Sequence, residues 1–236
     1  MAMSSNKGPH AQAAEERRKE AEAAALRANL KRRKTQARGR RALEDDAAIA
    51  SVVDFWFGAE DDPERENFRA AWFEKNDAFD RACADLFGDP YRQAAAGSLA
   101  RWADTPEGGL ALVLLLDQMP RNIHRGTAQA FATDAAALDL ARRMVARGFD
   151  RTLGPVMRLF VYLPFTHAED LAAQDMCVKL VEALPETPWR SQALDSAKAH
   201  RDVIARFGRF AHRNAALGRA STLDELVYLA DPNAGF

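Results

Sequence analysis

The sequence offers almost no sulfur chemistry. Its two cysteines, Cys83 and Cys177, each stand singly in amphipathic helical context, without a CxxC or any paired spacing. This excludes a disulfide framework and a thiolate metal site, and both read as small core residues in a reducing cytosol. Long apolar runs are also missing. The longest, Leu110–Leu116, is far too short to span a membrane, and the N-terminus lacks the apolar stretch of a secretory leader, so a cytoplasmic protein is expected. No segment alternates with period two over strand length, which excludes a sheet. There is no HExxH for a metal, no GxSxG elbow and no cysteine near a histidine for nucleophilic catalysis. No metal and no cofactor is therefore expected. Strict self-similarity at 34 residues is absent too.

What is present is a globular composition with an uneven charge. Of 236 residues, 47% are hydrophobic and 28% charged, enough for one domain with a sizeable core and an appendage. Residues 1–41 carry 12 Lys and Arg against 4 Glu, a charge of +8; the remainder carries 21 basic and 30 acidic residues, a charge of −9. Residues 1–43 read as a basic arm rich in Ala, Glu, Lys and Arg, and 44–236 as a single helical domain. Residues 1–9 look like a disordered lead. From Ala11 to about Arg38 helix propensity is high, but Leu26 and Leu30 are the only large apolar groups, so the arm reads as a solvated or frayed helix. Its expected partner is at most a polyanion held weakly, since no aromatic is interleaved for base stacking.

The folded part is expected to start at Asp46 as an N-cap, with Ile49, Val52, Val53 and Trp56 on one face and Gly58 at the end. Helical stretches follow at about Glu64–Phe73 and Asp77–Phe87, with Pro90 opening another. Thr105-Pro106 starts a central helix whose apolar run stops at Asp117-Gln118-Met119-Pro120-Arg121-Asn122. Asp134 reads as the cap of a helix carrying Leu138, Ala141 and Val145, ended by Gly148. Gly154-Pro155 opens the next, which should stop at Leu163-Pro164. Thr166-His167-Ala168-Glu169 reads as a capping box for a helix to Leu184, Pro188-Trp189 begins another, and Thr222–Glu225 is a second box. The whole is all-α, with roughly nine or ten helices joined by short loops.

Polar density gathers at three helix ends: Asp117 to Asn122, His167 to Asp170, and Arg206 to Asn214. Ala193, Ala197, His200, Ile204 and Phe207 fall on one helical face, so His200 should be buried and hydrogen-bonded. Gly208 then stops the helix. Arg206, Arg209 and Arg213 crowd together beside His212 and Asn214, and need carboxylates or an external anion to answer them. The expected geometry is convergence of Asp117, Arg121, His167, Asp170, His200 and Arg209 in one site.

Three stretches, LLDQMPRNIHRGTAQAFATD, FVYLPFTHAEDLAAQ and HRDVIARFGRFAHRNAALGR, occur in order and together resemble the bacterial domain-of-unknown-function family 924 (DUF924). The resemblance covers about Ile49 to Ala230 and departs from the family pattern at Met119, His124 and Ala211. It implies a tetratricopeptide-like array of antiparallel helix hairpins, and no established activity.

Several chemistries compete for these residues. A metal site would draw on His167, His200 and His212 with Glu169 or Asp170, but the ligand spacing is wrong. Acid–base hydrolysis would pair Asp117 or Glu169 with His200. The preferred reading is a binding scaffold in which Arg121, Arg209 and Arg213, oriented by Asn122 and Asn214, hold an anionic small molecule or a peptide carboxylate, with Gln118 counted among the binding residues. The competing structural reading has Asp117, Glu169 and Asp170 pair with those arginines only to tie helix ends together.

Overall fold

The computed structural model describes residues 9–231, with side chains described for 26–69 and 71–231; the lead expected over residues 1–9 lies, apart from Pro9, outside the described residues. Every regular element among the described residues is helical. None is long and apolar enough to cross a membrane.

Helix α1 runs over Pro9–Phe57. No new helix starts at Asp46, because nothing between residues 10 and 57 breaks the ladder: there is no proline, and Gly39 only weakens it. By contacts the chain divides into two units, Met1–Ala47 and Ala48–Phe236. In the first, the described side chains are nearly all exposed. In the second, Val52, Val53, Trp56 and Phe57 are buried, and Gly58 ends α1 with a positive φ of 96°. Residues 64–73, expected to be helical, instead form turns with one 3-10 turn at Ala70–Trp72. That segment is recruited to finish α1. Arg65 donates to the Gly58 carbonyl and Arg69 to the Phe57 carbonyl, answering groups that a helix end leaves unpaired. Trp72 Nε1 donates to the Trp56 carbonyl at 2.9 Å.

Helix α2, Asp77–Ala95, is capped by the Asn76 side chain and passes through Pro90 without stopping. The lost ladder bond falls at Leu86, on an exposed stretch where water can replace it. Thr105 caps α3, Pro106–Val113, with proline in its first turn. The chain then stays helical through Pro120, where the apolar run was expected to stop. Leu114–Gln118 is a π turn, and α4, Met119–Ile123, follows directly. α5 spans Asp134–Ala146 with Thr133, not Asp134, at its N-cap. It buries Ala137, Leu140, Ala141 and Met144, a face one residue off the expected Leu138 and Val145. α6, Pro155–Thr166, includes Pro164 rather than ending there. The expected box at Thr166–Glu169 does not form. Thr166 is still inside α6, and α7, Leu171–Glu182, is capped by Asp170. α8, Arg190–Phe207, ends at left-handed Gly208, and the box at Thr222 opens α9, Leu223–Leu229.

With the rod α3–π turn–α4 taken as one, the described residues hold eight α-helices, slightly fewer than the nine or ten expected. α5 packs on α6, α6 on α7 and α7 on α8, the hairpin succession that the tetratricopeptide resemblance implies. Residues Leu110–Leu116 are buried throughout and lie at the centre, since α3 touches both α5 and α6. Phe160 of α6 gathers the aromatics, with ring centroids 5.7 Å from Trp56, 5.2 Å from Phe57 and 4.8 Å from Trp72.

Candidate functional site

The site is built on the π turn. A wider turn shifts the hydrogen-bond register, as the Met119 N–H bonding to the Leu114 carbonyl shows; such turns recur at functional sites. Pro120 adds a missing donor. Side chains then reach the carbonyls here: Thr133 Oγ1 donates to Leu116 at 2.6 Å, Arg121 Nη1 to Asp117, and Asn122 Nδ2 to Gln118 at 3.1 Å. The polar run Asp117–Asn122 thus maintains its own irregular backbone.

Asp117 is wholly buried. Both its oxygens accept from His167 Nδ1, at 2.8 and 2.9 Å, and one accepts from Gln118 Nε2 at 2.6 Å; Arg121 lies 3.4 Å away. Burial alone would raise this carboxyl, but the Arg121 charge and the His167 contact outweigh it and hold the group below the usual carboxylate range. Because Nδ1 of His167 donates to a carboxylate, Nε2 is the nitrogen left for other partners, and the ring lines a cavity. Burial and then the Arg121 charge push His167 below its ordinary pKa, against the pull of Asp117.

Asp134, expected to be a cap, is instead a hub. Arg121 grips it with two parallel bonds, at 2.9 and 3.0 Å, and Arg213 Nη1 donates to it at 3.0 Å. The Arg213 guanidinium lies 4.6 Å from the ring centroids of both Phe131 and Phe210. Its Nε is buried without a hydrogen-bond partner. Burial, then the charge of Arg121, push Arg213 below its ordinary pKa.

Of these groups Gln118, Arg121, Asn122, His167, Phe131 and Arg213 line a cavity of about 880 Å³, together with Arg125, His200, His212 and an apolar wall that includes Phe68, Trp72 and Phe73; Asp117 and Asp134 stand behind it. His200 is buried as expected; its Nδ1 donates to the Ser196 carbonyl at 2.8 Å, and the ring packs edge-on against Phe210. Burial lowers its pKa to about 3. His212, the more exposed ring, is lowered to about 4 by desolvation and then by Arg213. The cavity therefore offers arginine charge among histidines that are neutral at neutral pH, with the carboxylates of Glu74 and Asp195 also in its wall. Among the described residues, no three His, Cys, Asp or Glu are placed to hold a metal ion.

Of the residues expected to converge, Asp117, Arg121, His167 and His200 do, joined by Gln118, Asn122, His212 and Arg213. Asp170 and Arg209 do not. Asp170 is committed to capping α7 and to Arg142 at 3.2 Å. Arg209 grips Glu225, at 2.6 and 2.8 Å, and the Ala220 carbonyl. Glu169 and Asn214 belong to the same staple: Glu169 accepts from the Phe210 N–H and from Arg219, Arg219 donates to Asn214, and Asn214 reaches Ser221 and Glu225. This chain of bonds fixes the segment that presents His212 and Arg213, so its members act beside the cavity and not in its wall. Arg206 lies over Phe207. Asp134, Phe131, Arg219 and Glu225 take part without having been expected to. A clue existed for Asp134 alone: it closes the first family-like stretch, where an acidic residue could answer the arginine surplus downstream.

A family model described as "Bacterial protein of unknown function (DUF924)" matches residues 52–233. The chain belongs to this family. A similar solved structure, the protein of unknown function ATU0120 from Agrobacterium tumefaciens, is 42% identical, with a TM-score of 0.69 over 79% of this chain and 98% of its own. No curated protein matches the chain. The family match takes in every residue that builds the DUF924 cavity and leaves out most of α1.

Proposed function

We propose that the cavity binds a small molecule or peptide end carrying a carboxylate on an aromatic or apolar body. Arg213 carries this reading. Arg121 and Arg125 spend their paired donors on Asp134 and Asp80, whereas Arg213 has a single ion pair and an unmet Nε, in surroundings that disfavour its charge. An anion beside the cavity-lining guanidinium would favour its charged form. Neutral histidines can donate to or accept from the same ligand, and Phe68, Trp72, Phe73 and Phe131 suit an aromatic body. The volume is within the ordinary range for small-molecule sites. Thermal shift and calorimetry on wild type, Arg213→Met and Arg213→Lys, with benzoate, phenylacetate, acetate, phosphate and sulfate, provide the test. Wild type should be stabilised most by the aromatic carboxylates, and Arg213→Met should lose the response while Arg213→Lys keeps part of it. A wild type indifferent to every anion sinks the reading.

The Asp117–His167 pair supports a second reading, acid–base chemistry on the bound molecule. The partners differ from those expected: the Asp117 carboxylate holds His167 and not His200, whose Nδ1 donates to the Ser196 carbonyl, and Glu169 pairs with Arg219, so His167 is assigned as the base. A carboxylate holding Nδ1 orients Nε2 to take a proton from water or a ligand hydroxyl. Turnover of an ester that is lost in His167→Gln, with ligand affinity kept, would favour this chemistry over binding alone.

A further inference from the structure

Outside the family-matched region, α1 carries a charge pattern that the cavity does not use. Between Glu22 and Glu44 there is no acidic and no aromatic residue, while eight basic residues fall between Arg27 and Arg41. Described side chains over 26–41 are exposed, apart from half-buried Asn29.

Their placement on the helix is ordered. Arg27, Lys31, Lys34, Arg38 and Arg41 recur at steps of four and three, so at 100° per residue they occupy about 80° of the circumference and about 21 Å of axis. None of the five is ion-paired among the described residues, whereas Arg40 lies 3.6 Å from Glu44. Arg32, Arg33 and Arg40 form a second basic ridge on the far side. Between the two ridges lies a narrow face of small residues, Ala28, Thr35, Gly39 and Ala42, and a side chain added at Gly39 would meet nothing within 4 Å.

We propose that this stretch of α1 is a binding element for double-stranded DNA, lying in the major groove with its small-residue face inward and a basic ridge against each phosphate wall. The groove of B-form DNA, about 12 Å wide, admits one α-helix; the deep, narrow groove of duplex RNA does not. Two lines of phosphates flanking a depression match two lines of cations flanking a low face. Other partners fit worse. A helical protein partner would need an apolar seam, and an anionic membrane a broad apolar face; Leu26 and Leu30 are the only large apolar side chains from 26 to 42, at 60% and 57% exposed. Single-strand binding would need aromatic platforms. With few base-reading side chains on the inner face, affinity comes from phosphates and depends little on sequence.

The test uses the full chain and fluorescence anisotropy with a labelled 20-base-pair DNA duplex, the same-length RNA duplex, and phosphatidylserine-containing vesicles. Five or more phosphate contacts predict a logarithmic salt slope of about −4.5 or steeper, a loss of roughly 500-fold between 50 and 200 mM salt. The triple variant Lys31→Gln, Lys34→Gln, Arg38→Gln should weaken DNA binding at least tenfold and flatten the slope by about three. Insertion into the groove is tested at constant charge. Thr35→Trp with Gly39→Trp should weaken binding at least fivefold, while Leu30→Trp with Ala37→Trp on the outer face should change it less than twofold, with helicity by circular dichroism kept in both. The proposal is overturned if DNA is not bound at 50 mM salt, if RNA duplex or vesicles bind as tightly, or if the two tryptophan pairs behave alike.

Discussion

His200 illustrates how burial converts a switchable side chain into a fixed one. Its imidazole is buried and its pKa lowered to about 3 from an ordinary 6.5, so in the folded protein it stays neutral where the unfolded chain would take up a proton. Between those two values the unfolded state binds more protons. Stability from this residue is therefore fully present above about pH 6.5 and is lost as pH falls toward 3, a tenfold difference in proton affinity between the two states corresponding to about 1.4 kcal/mol. Urea unfolding of wild type across pH 4 to 7.5 should show a falling midpoint on acidification, and His200→Gln should flatten that fall. Equal slopes for the two proteins would mean that another group carries the effect. The helical periodicity made His200 legible because burial on a face is a local property. Asp134 is only faintly legible, by its place at the close of the first family-like stretch, since its role is set by guanidiniums from two distant stretches and at its own position it looks like any helix-start aspartate.

At the scale of elements, the sequence is most readable where one residue decides an end by itself. Thr105, Thr222 and Gly208 cap as expected, each through a side-chain oxygen or a left-handed φ at its own position. Prolines were the weak point. Pro90, Pro120 and Pro164 all lie inside helical stretches. A proline removes one ladder bond, and whether the helix stops depends on what else can take the freed carbonyl, which is tertiary information. The π turn makes this testable. Thr133→Val keeps the side-chain shape but strips the hydroxyl from the buried Leu116 carbonyl, at a cost of about 1–3 kcal/mol. Hydrogen exchange should quicken at Arg121 and Asn122 while α7 stays protected. A variant as stable as wild type would show that the carbonyl finds another donor.

For the whole molecule, the described side chains of residues 26–41 contribute little to any core, with Leu26 and Leu30 both exposed. Deleting residues 1–41 should leave the thermal midpoint within a few degrees of wild type in a scanning fluorimetry comparison; a larger drop would mean that the removed segment supports the rest. The all-helical class was legible from periodicity and from the absence of alternation, which depend on pattern and not on any single residue. The cavity was half legible. Polar helix ends marked its residues, yet nothing local separated Arg213, which faces it, from Arg209, which is taken by Glu225. The links that close the cavity are long in sequence: His167 reaches back 50 positions to Asp117, and Arg213 reaches back 79 to Asp134. A chain leaving the ribosome N-terminus first therefore holds Asp134 ready well before its second arginine exists. Throughout that interval Asp134 has only Arg121 to neutralise it, and the later stretch that holds His212 and Arg213 completes the pocket wall. A nascent chain released early, short of residue 213, would carry most of its helices and a cavity without its Arg213 wall.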